Sequence, residues 1–375
     1  MKTADEVQNI LNGFTCNREV SVEIYESYGR VLFDDVYSKV DVPLCDKSTV
    51  DGYAITNEGL NNDFLVISDE IHAGDPADML INPGKCIWVA TGSNIPKNTD
   101  RIIPFENTIN SENTIRIVKM TKNSNIFKKG TDIPKNTKVL DKNTLIDEKA
   151  IGILASIGMD KINVYDTPKV AILSVGSELS EINEVNSKTL TAIVRKAGCE
   201  PVFLGVVEDS IEKITSAIKN AVLQYDIVVT SGGTSKGKKD YMFEIISSIG
   251  DILFHKVKSI PGMPIFAGKV SEKPIICLPG NVASCLVCGY AYLLPMFLNA
   301  AHKTFKRELV IADLSEEFNS ELGIKHYFPV KLKDGIAYPA FRGSNMITSI
   351  ANADGLVDVS ENEVKVRKNV KIWLI

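Results

Sequence analysis

Three carboxylates, each directly after a predicted strand, form a pattern that could bind a divalent cation. They are Glu178, Asp209 and Asp240. Because the carboxyl ends of parallel strands share one edge of a sheet, we expect the three side chains to lie close together. Mg²⁺ prefers oxygen ligands and often bridges to phosphate, so the pattern predicts a magnesium site. The alternative is that each carboxylate caps a helix, and the run from Asp209 to Glu212 has the form of a capping box.

A glycine-rich loop follows the strand predicted at residues 226–230 and leads into a helix predicted near Asp240. Glycines let the main chain approach a ligand, and successive N–H groups beside a helix N-terminus can hold an anion. The residues predicted to bind a nucleotide or phosphate are Gly232, Gly233, Thr234, Ser235 and Gly237. The spacing is close to that of a P-loop, but Lys239 stands where the magnesium-binding Ser or Thr is required, which excludes an ordinary nucleoside triphosphatase. A tight turn between strand and helix remains the alternative.

Four further loops place polar residues beside glycine or proline, which is typical of binding loops and equally of simple turns. One covers residues 46–55 and contains Asp51, and another covers residues 90–100 and contains Thr91. The other two are Pro-Gly turns that supply the candidate residues Pro261, Pro264, Pro279, Gly280, Asn281 and Ser284. The turn at Pro279 opens a helix directly after a strand, which is a favourable place for a polar or anionic ligand.

The elements that must position these loops fall into four blocks. Between residues 167 and 301, continuous apolar strands alternate with amphipathic helices, which predicts a doubly wound, mainly parallel α/β domain. Short apolar runs divided by Gly, Pro and Asn predict an inserted β-rich domain at residues 47–126 and a C-terminal β-barrel-like domain at residues 302–375. Residues 1–46 and 127–166 together are predicted to form a helical and extended N-terminal domain.

Two helices are predicted near the N-terminus. Val7, Ile10, Leu11 and Phe14 recur at helical spacing, which indicates an opening amphipathic helix. A second helix is predicted at residues 19–28, where the following glycine would end it.

Composition and charge exclude several classes of protein. The formal net charge is −5, so the surface as a whole does not attract nucleic acid or an anionic membrane. The N-terminus has no signal-peptide pattern, and prolines interrupt the longest apolar stretch, at residues 275–298, so no membrane span is expected. The 7 cysteines are scattered, which fits a reducing cytoplasm, and Cys285 and Cys288 are expected to be buried thiols rather than zinc ligands.

In chain order, these segments resemble the motifs of the MoeA family, to which the C-terminal portion of vertebrate gephyrin also belongs. Residues 46–55, D-K-S-T-V-D-G-Y-A-I, resemble the signature D-N-S-A-M-D-G-Y-A, and residues 231–240 resemble S-G-G-V-S-V-G-x-x-D. The segments that resemble the family's other motifs are residues 90–100, 174–179, 186–188, 261–264, 278–284 and 343–352. The resemblance therefore covers essentially the whole chain.

The resemblance implies a molybdopterin-binding fold for the central domain and a cytoplasmic homodimer. Its active cleft would lie between the central domain of one subunit and the β-rich domain of the other. The implied activity is that of a molybdopterin molybdenumtransferase: molybdate or tungstate enters adenylylated molybdopterin, and AMP is released with Mg²⁺. The implied partners are a molybdopterin adenylyltransferase and the apo-molybdoenzymes that receive the product.

The resemblance also assigns roles to individual residues. The implied catalytic residues are Asp51, Thr91, Glu178, Asp209 and Asp240. The last three of these would bind the metal. Asn186 and Ser187 join the glycine loop and the Pro-Gly turns as ligand-binding residues.

Some positions depart from the family's motifs and keep a second interpretation open. Ile260 and Met263 stand where the family commonly has lysines, so an anion pocket there has less positive charge unless the lysines at 236, 238 and 239 compensate. The alternative hypothesis is a divergent paralogue that binds molybdopterin or a nucleotide as a storage, sensing or accessory protein without the full reaction. A third hypothesis is a structural scaffold of the gephyrin type. All five implied catalytic residues are present, which favours the enzyme.

Overall fold

The computed structural model of the protein describes residues 1–176, 184–233 and 241–375. The helices in these ranges are α1 Ala4–Leu11, α2 Glu148–Ser156, α3 Asn186–Lys196, α4 Ile211–Gln224, α5 Tyr241–Ile249, α6 Val282–Cys288, α7 Leu294–Ala300 and α8 Thr348–Ala351. A π-helical stretch, Gly289–Leu293, joins α6 to α7. The predicted opening helix is α1, which begins with a capping box between Thr3 and Glu6.

The strands in the described ranges belong to several separate sheets. In chain order they are β1 Glu19–Glu23, β2 Val36–Tyr37, β3 Lys47–Ser48, β4 Gly52–Ile55, β5 Leu65–Ile71, β6 Lys85–Val89, β7 Arg101–Pro104, β8 Thr108–Ser111, β9 Thr114–Ile117, β10 Ile126–Phe127, β11 Lys138–Leu140, β12 Lys161–Tyr165, β13 Lys169–Val175, β14 Glu200–Val207, β15 Ile227–Ser231, β16 Asp251–His255, β17 Ser259–Ile260, β18 Phe266–Val270, β19 Lys273–Leu278, β20 Leu309–Leu314, β21 Phe318–Asn319, β22 Lys325–Lys333, β23 Ile336–Pro339, β24 Gly355–Val359, β25 Lys365–Val366 and β26 Val370–Leu374.

The chain forms two compact units. The larger comprises Met1–Ser21, Gly29–Phe33 and Asn163–Ile375, and the smaller comprises Val22–Tyr28 and Asp34–Ile162. The finer division into four domains at the boundaries given above stays a prediction.

The larger unit contains a six-stranded sheet with the order β14-β13-β15-β19-β18-β16. The first four strands run parallel, and β18 and β16 are added antiparallel at one side. Alternate residues of β13 face opposite ways, because Val170 and Ile172 pack with α3, α6 and α7, whereas Ala171 and Leu173 pack with α4 and α5. Helices therefore cover both faces, and the predicted doubly wound, mainly parallel α/β domain is confirmed.

The smaller unit contains the predicted β-rich insertion as a six-stranded sheet with the order β7-β4-β6-β5-β9-β8. The chain enters and leaves this sheet through the antiparallel pair β3 and β10, in which Lys47 lies opposite Phe127 and Ser48 opposite Ile126. Both faces of the sheet carry buried apolar side chains: Ala54 lies in one cluster and Tyr53 in the other. The paired entry and exit strands are the geometry expected of an inserted segment.

The C-terminal part of the larger unit is a small closed sheet. Strands β22, β23, β20, β26 and β24 pair in turn, and β24 pairs again with β22, so five strands close on themselves. β17 lies parallel to β22 at the side of this barrel. Val330, Val357 and Ile372 are completely buried inside it. The predicted β-barrel-like domain is therefore confirmed.

The predicted helix at residues 19–28 is wrong. The segment forms β1 and then a 3₁₀ turn at Ile24–Glu26. Val20 and Val22 alternate with polar residues, and this period of two, with β-branched side chains, favours a strand over a helix.

The long apolar run of the sequence is a core helix. Val282–Ala300 has the length and hydropathy of a membrane span, but 72% of its most apolar window is buried inside the protein. Cys285 and Cys288 lie on this run with no exposed surface, and burial raises the pKa of both thiols well above the usual value. The expectation of buried structural thiols is therefore confirmed.

Asp226, at the amino end of β15, is expected to make stability depend on pH. Burial raises its pKa, but hydrogen bonds from Arg18, the Lys169 main chain and Lys273 outweigh that effect and hold the pKa well below its usual range. Because the ionised form is favoured in the folded state, its contribution is present above the unfolded pKa and is lost as the pH falls below about 4.

We expect Asp226→Asn to lower the free energy of unfolding at pH 7 by about 2 kcal/mol, the scale of hydrogen bonds to a charged group. The difference from the wild type should shrink as the pH falls below 4, which urea unfolding between pH 3 and 7 would measure. Glu272→Gln is the control, since the side chain of Glu272 is 83% exposed and its ion pair is with Lys269. An unchanged difference across this pH range would contradict the assignment.

Candidate active site

The loops predicted to bind ligand leave the central sheet at one edge. Ser174 of β13, Ser231 of β15 and Leu278 of β19 lie side by side in parallel register. Val207, at the end of β14, pairs with Val175 of β13. The segments that follow these strands therefore start together, and we call this place the carboxyl edge. It comprises residues 208–210, 232–233 and 279–281 and the start of α3.

Gly232 and Gly233, which begin the glycine loop, occupy positions that require glycine. Their φ angles are +86° and +70°. A Cβ atom on Gly232 would lie 2.2 Å from the carbonyl oxygen of Val175, and one on Gly233 would lie 2.9 Å from Cγ of Met242. The N–H of Gly232 donates to the carbonyl of Leu278 over 3.2 Å. The start of the loop therefore needs glycine because its main chain packs directly against the end of β13 and against α5.

The turn after β19 is fixed by a segment from the C-terminal barrel. The Asn281 amide donates to the hydroxyl of Ser344 over 3.1 Å, and the main-chain N–H of Ala283 donates to the Ser344 carbonyl over 3.0 Å. Pro279 is buried and Gly280 exposed, whereas Ser284 is buried in the first turn of α6. The structure therefore places these four predicted residues at or beside the carboxyl edge and adds Ser344 to them.

The other Pro-Gly turn, residues 261–264, reaches the same edge from the next strand. Phe266, the first residue of β18, pairs with Cys277 near the end of β19. Pro261 and Pro264 therefore precede β18 at the carboxyl end of the parallel strands. Ile260 and Met263 are half-buried and bring no positive charge to this turn.

A buried carboxylate that the sequence did not single out organises the start of α3. The Glu184 side chain accepts hydrogen bonds from the Ser174 hydroxyl and the Ser187 main-chain N–H, both over 2.8 Å, and from the Ser187 hydroxyl. Glu184 is only 3% exposed. Both donors of Ser187 are therefore already satisfied inside the protein.

Asn186, the first residue of α3, spans the gap to the turn after β19. Its Nδ2 donates to the carbonyl of Gly280 over 2.8 Å. Its Oδ1 is buried and has no hydrogen-bond partner in the described parts of the chain. A buried acceptor of this kind costs free energy unless a donor reaches it.

Asp209 lies at the carboxyl edge, but it does not cap α4. The N-cap is Ser210, whose hydroxyl accepts from the main-chain N–H of Lys213 over 3.4 Å. The capping box suggested for the run from Asp209 to Glu212 is therefore wrong by one residue, because Ser210 takes the position that Asp209 was given. The carboxylate of Asp209 is exposed and is not required by the helix.

Several predicted site residues lie outside the described residues. They are Glu178, Thr234, Ser235, Gly237 and Asp240. Within residues 1–176, 184–233 and 241–375, no three His, Cys, Asp or Glu side chains lie close enough together to hold a metal ion. The proposed magnesium ligands are thus represented in the described structure by Asp209 alone.

Asp51 and Thr91, in the smaller unit, form a direct pair. One carboxylate oxygen of Asp51 accepts from the main-chain N–H of Thr91 over 2.6 Å and from its hydroxyl over 2.8 Å. These two hydrogen bonds hold the pKa of Asp51 below its usual range. The structure therefore brings together two residues that are 40 positions apart and presents an ionised carboxylate on an exposed surface.

Sequence reasoning missed Glu184, Ser174 and Ser344 as parts of the site. Ser174 and Ser344 lie inside segments that carry the family resemblance, but only their hydrogen bonds show what they hold. Glu184 offered a weak signal, since an acidic residue just before a helix also occurs at ordinary surface helices.

Three family models match the chain in order. The MoeA N-terminal region (domain I and II) matches residues 1–158, a probable molybdopterin binding domain matches residues 171–299, and the MoeA C-terminal region (domain IV) matches residues 312–375. A molybdopterin molybdenumtransferase of Staphylococcus aureus is 29% identical over 377 residues, which cover 94% of this chain and 90% of the relative.

Two solved structures of molybdopterin biosynthesis MoeA proteins from Pyrococcus horikoshii share the fold. One has a TM-score of 0.87 at 29% identity and covers 99% of this chain and 98% of its own. The other has a TM-score of 0.79 at 25% identity and covers 100% of both chains. With the three ordered models and the architecture of sheet, insertion and barrel described above, these likenesses show that the chain belongs to the MoeA family.

Proposed function

We propose that the chain is a molybdopterin molybdenumtransferase, an enzyme of molybdenum cofactor biosynthesis. The observation that carries this proposal is the carboxyl edge, where the first glycines of the loop, the exposed carboxylate of Asp209 and a buried acceptor of Asn186 without a partner among the described residues all follow neighbouring strands. The comparisons support the proposal because relatives that align with this chain across 90% of their own length are named molybdopterin molybdenumtransferase. In finer detail, the substrates are adenylylated molybdopterin and molybdate or tungstate, and AMP is the product released.

The described residues divide the work between binding and proton handling. The glycine loop that begins at Gly232 and Gly233 accommodates phosphate groups, because a loop rich in glycine can offer main-chain N–H groups to an anion. Asp51 is held ionised by Thr91 through one oxygen, and its other oxygen has no partner among the described residues. That oxygen is an acceptor for a proton of water or of the substrate.

The donor chemistry at the carboxyl edge fits Mg²⁺. Asp209 supplies an exposed carboxylate that the α4 cap does not use, and the resemblance supports Glu178 and Asp240 as candidates for the other ligands. When bound, Mg²⁺ would polarise the phosphoryl oxygens and neutralise the charge that develops on them.

Purified protein incubated with adenylylated molybdopterin, Mg²⁺ and molybdate is expected to release AMP and to yield a product that reconstitutes an apo-molybdoenzyme. Omission of the oxyanion or of Mg²⁺ should abolish both signals. Tight binding of adenylylated molybdopterin without AMP release above background would refute the transferase. That result would favour the divergent paralogue, the alternative suggested by Ile260 and Met263, which stand where the family commonly has lysines.

We further propose that the protein works in the cytoplasm as a homodimer. A molybdopterin adenylyltransferase would supply its substrate, and apo-molybdoenzymes would receive its product. Sedimentation equilibrium at several concentrations tests the dimer, and a single species of 41.1 kDa throughout would refute it.

A further inference from the structure

The start of α3 looks like an anion site, but its contacts point to a different ligand group. A helix N-terminus attracts anions through its unpaired N–H groups and its positive potential. In α3 the N-cap residue Val185 makes no side-chain cap, and the N–H of Ser187 is already bonded to the Glu184 carboxylate. The protein thus provides its own anion at this helix.

The described contacts of the Glu184 carboxylate are all close to it in the fold. Its carboxylate contacts two hydroxyls and one N–H, whereas the Lys188 ammonium reaches the main-chain oxygen of Glu184 over 2.6 Å. A phosphate at the start of α3 would therefore find the N–H of Ser187 already hydrogen-bonded, with the buried carboxylate of Glu184 behind it. This disfavours phosphate at this position and leaves it to the glycine loop.

The free group at this position is a hydrogen-bond acceptor. Because the carbonyl of Gly280 can only accept, the Asn186 atom that faces it must be Nδ2, and Oδ1 is the buried atom without a partner. Asn186 is 8% exposed, so water satisfies this atom poorly. A ligand that fits must present an N–H group, as the amino and lactam groups of a pterin do.

We propose that Glu184 is a positioning residue that makes the start of α3 a subsite for the N–H edge of a heterocycle and keeps phosphate out of it. Glu184 fixes the first turn of α3 and links it to the end of β13 through Ser174, and Asn186 Oδ1 receives the ligand's N–H. Given the proposed function, the heterocycle is the pterin, and the phosphate end of the same ligand lies at Gly232 and Gly233. The pterin ring is therefore oriented by α3 and the phosphate by the glycine loop.

Two probes separate the two ends of the ligand. One is a phosphate-free pterin, 6-hydroxymethylpterin, and the other is inorganic pyrophosphate with Mg²⁺; calorimetry on the full chain measures both affinities. Asn186→Ala should weaken pterin binding by about tenfold, the scale of one buried hydrogen bond, and should change pyrophosphate binding by less than about twofold.

Glu184→Gln gives the sharper result, because it should move the two affinities in opposite directions. The amide cannot accept all three hydrogen bonds, so Asn186 loses its fixed position and pterin binding weakens by about fivefold. Removal of the negative charge frees the helix N-terminus, so pyrophosphate binds more tightly, by about threefold. A residue that only stabilises the fold would weaken both.

Asp226→Asn is the matched control, since it neutralises a half-buried carboxylate at the opposite end of the same sheet and should leave both affinities unchanged. Equal weakening of both probes by Glu184→Gln, or full pterin affinity in Asn186→Ala, would overturn the proposal. Neither measurement uses turnover, so this inference and the transferase assignment can fail separately. If pterin affinity depends on Asn186 but no AMP is released, only the transferase assignment is refuted.

Discussion

Asp209→Asn is expected to lower turnover by about a thousandfold while the thermal stability stays that of the wild type. The amide keeps the shape of the side chain but removes the charge that would hold Mg²⁺, and loss of metal-centred charge stabilisation amounts to several kcal/mol, at about 1.4 kcal/mol for each tenfold in rate. The cap of α4 should stay intact, because Ser210 and not Asp209 provides it. AMP release at saturating substrate and thermal unfolding measure the two effects.

The neighbouring residue supplies a control with the opposite outcome. Ser210→Ala removes the cap and should lower the free energy of unfolding by about 1 kcal/mol, while it keeps the charge of Asp209, so turnover should fall far less than in Asp209→Asn. Near-normal turnover in Asp209→Asn would remove Asp209 from the metal site. The resemblance places Asp240 in the same acidic set, and Asp240→Asn is expected to lose turnover as well.

Gly232→Ala is expected to have the largest effect on stability at the carboxyl edge, about 3 kcal/mol or more. The added Cβ would lie 2.2 Å from the carbonyl oxygen of Val175, and this oxygen belongs to main chain that cannot rotate away. The positive φ adds backbone strain of about 1–2 kcal/mol. The loop must shift to relieve the clash, so binding of pyrophosphate should be lost together with stability.

Gly205→Ala separates the two causes. Gly205 has a φ of +101°, but a Cβ there would have no atom within 4 Å. It lies in β14 of the same sheet, so the substitution tests backbone strain without a clash and should cost about 1–2 kcal/mol. Calorimetric unfolding of both variants gives the difference. Equal losses would show that the close approach at Val175 does not matter.

The sequence predicted the parallel core because each of its strands is a continuous apolar run that needs burial on both faces. It did not predict β16 and β18, since Phe266–Val270 contains Gly268 and Lys269 and has no strong strand pattern. A Cβ at Gly268 would lie 2.2 Å from Ile246 of α5, so this glycine serves helix packing that only the fold reveals. Strands added antiparallel at the side of a parallel sheet depend on tertiary contacts more than on local propensity.

The candidate site, like the fold, could be predicted from the sequence only in part. Motif spacing indicated the glycine loop, and parallel topology placed Asp209 beside it. The resemblance named Asp51 and Thr91 as site residues, but their contact came only from the structure, because nothing local relates two loops that are 40 positions apart. Glu184 could not be predicted for another reason. An acidic residue before a helix is common, and the sequence does not show that Glu184 is buried against Ser174 and Ser187.

The pairing of Lys47 with Phe127 has a consequence for the way such a chain can be built. Residues opposite each other in an antiparallel pair are about 5 Å apart, a gap that a two-residue hairpin turn closes. The whole β-rich sheet could thus be removed and replaced by such a turn without moving the strands that flank it. For the rest of the chain the segment is a module with neighbouring ends, which an ancestor could have gained, lost or exchanged in a single event.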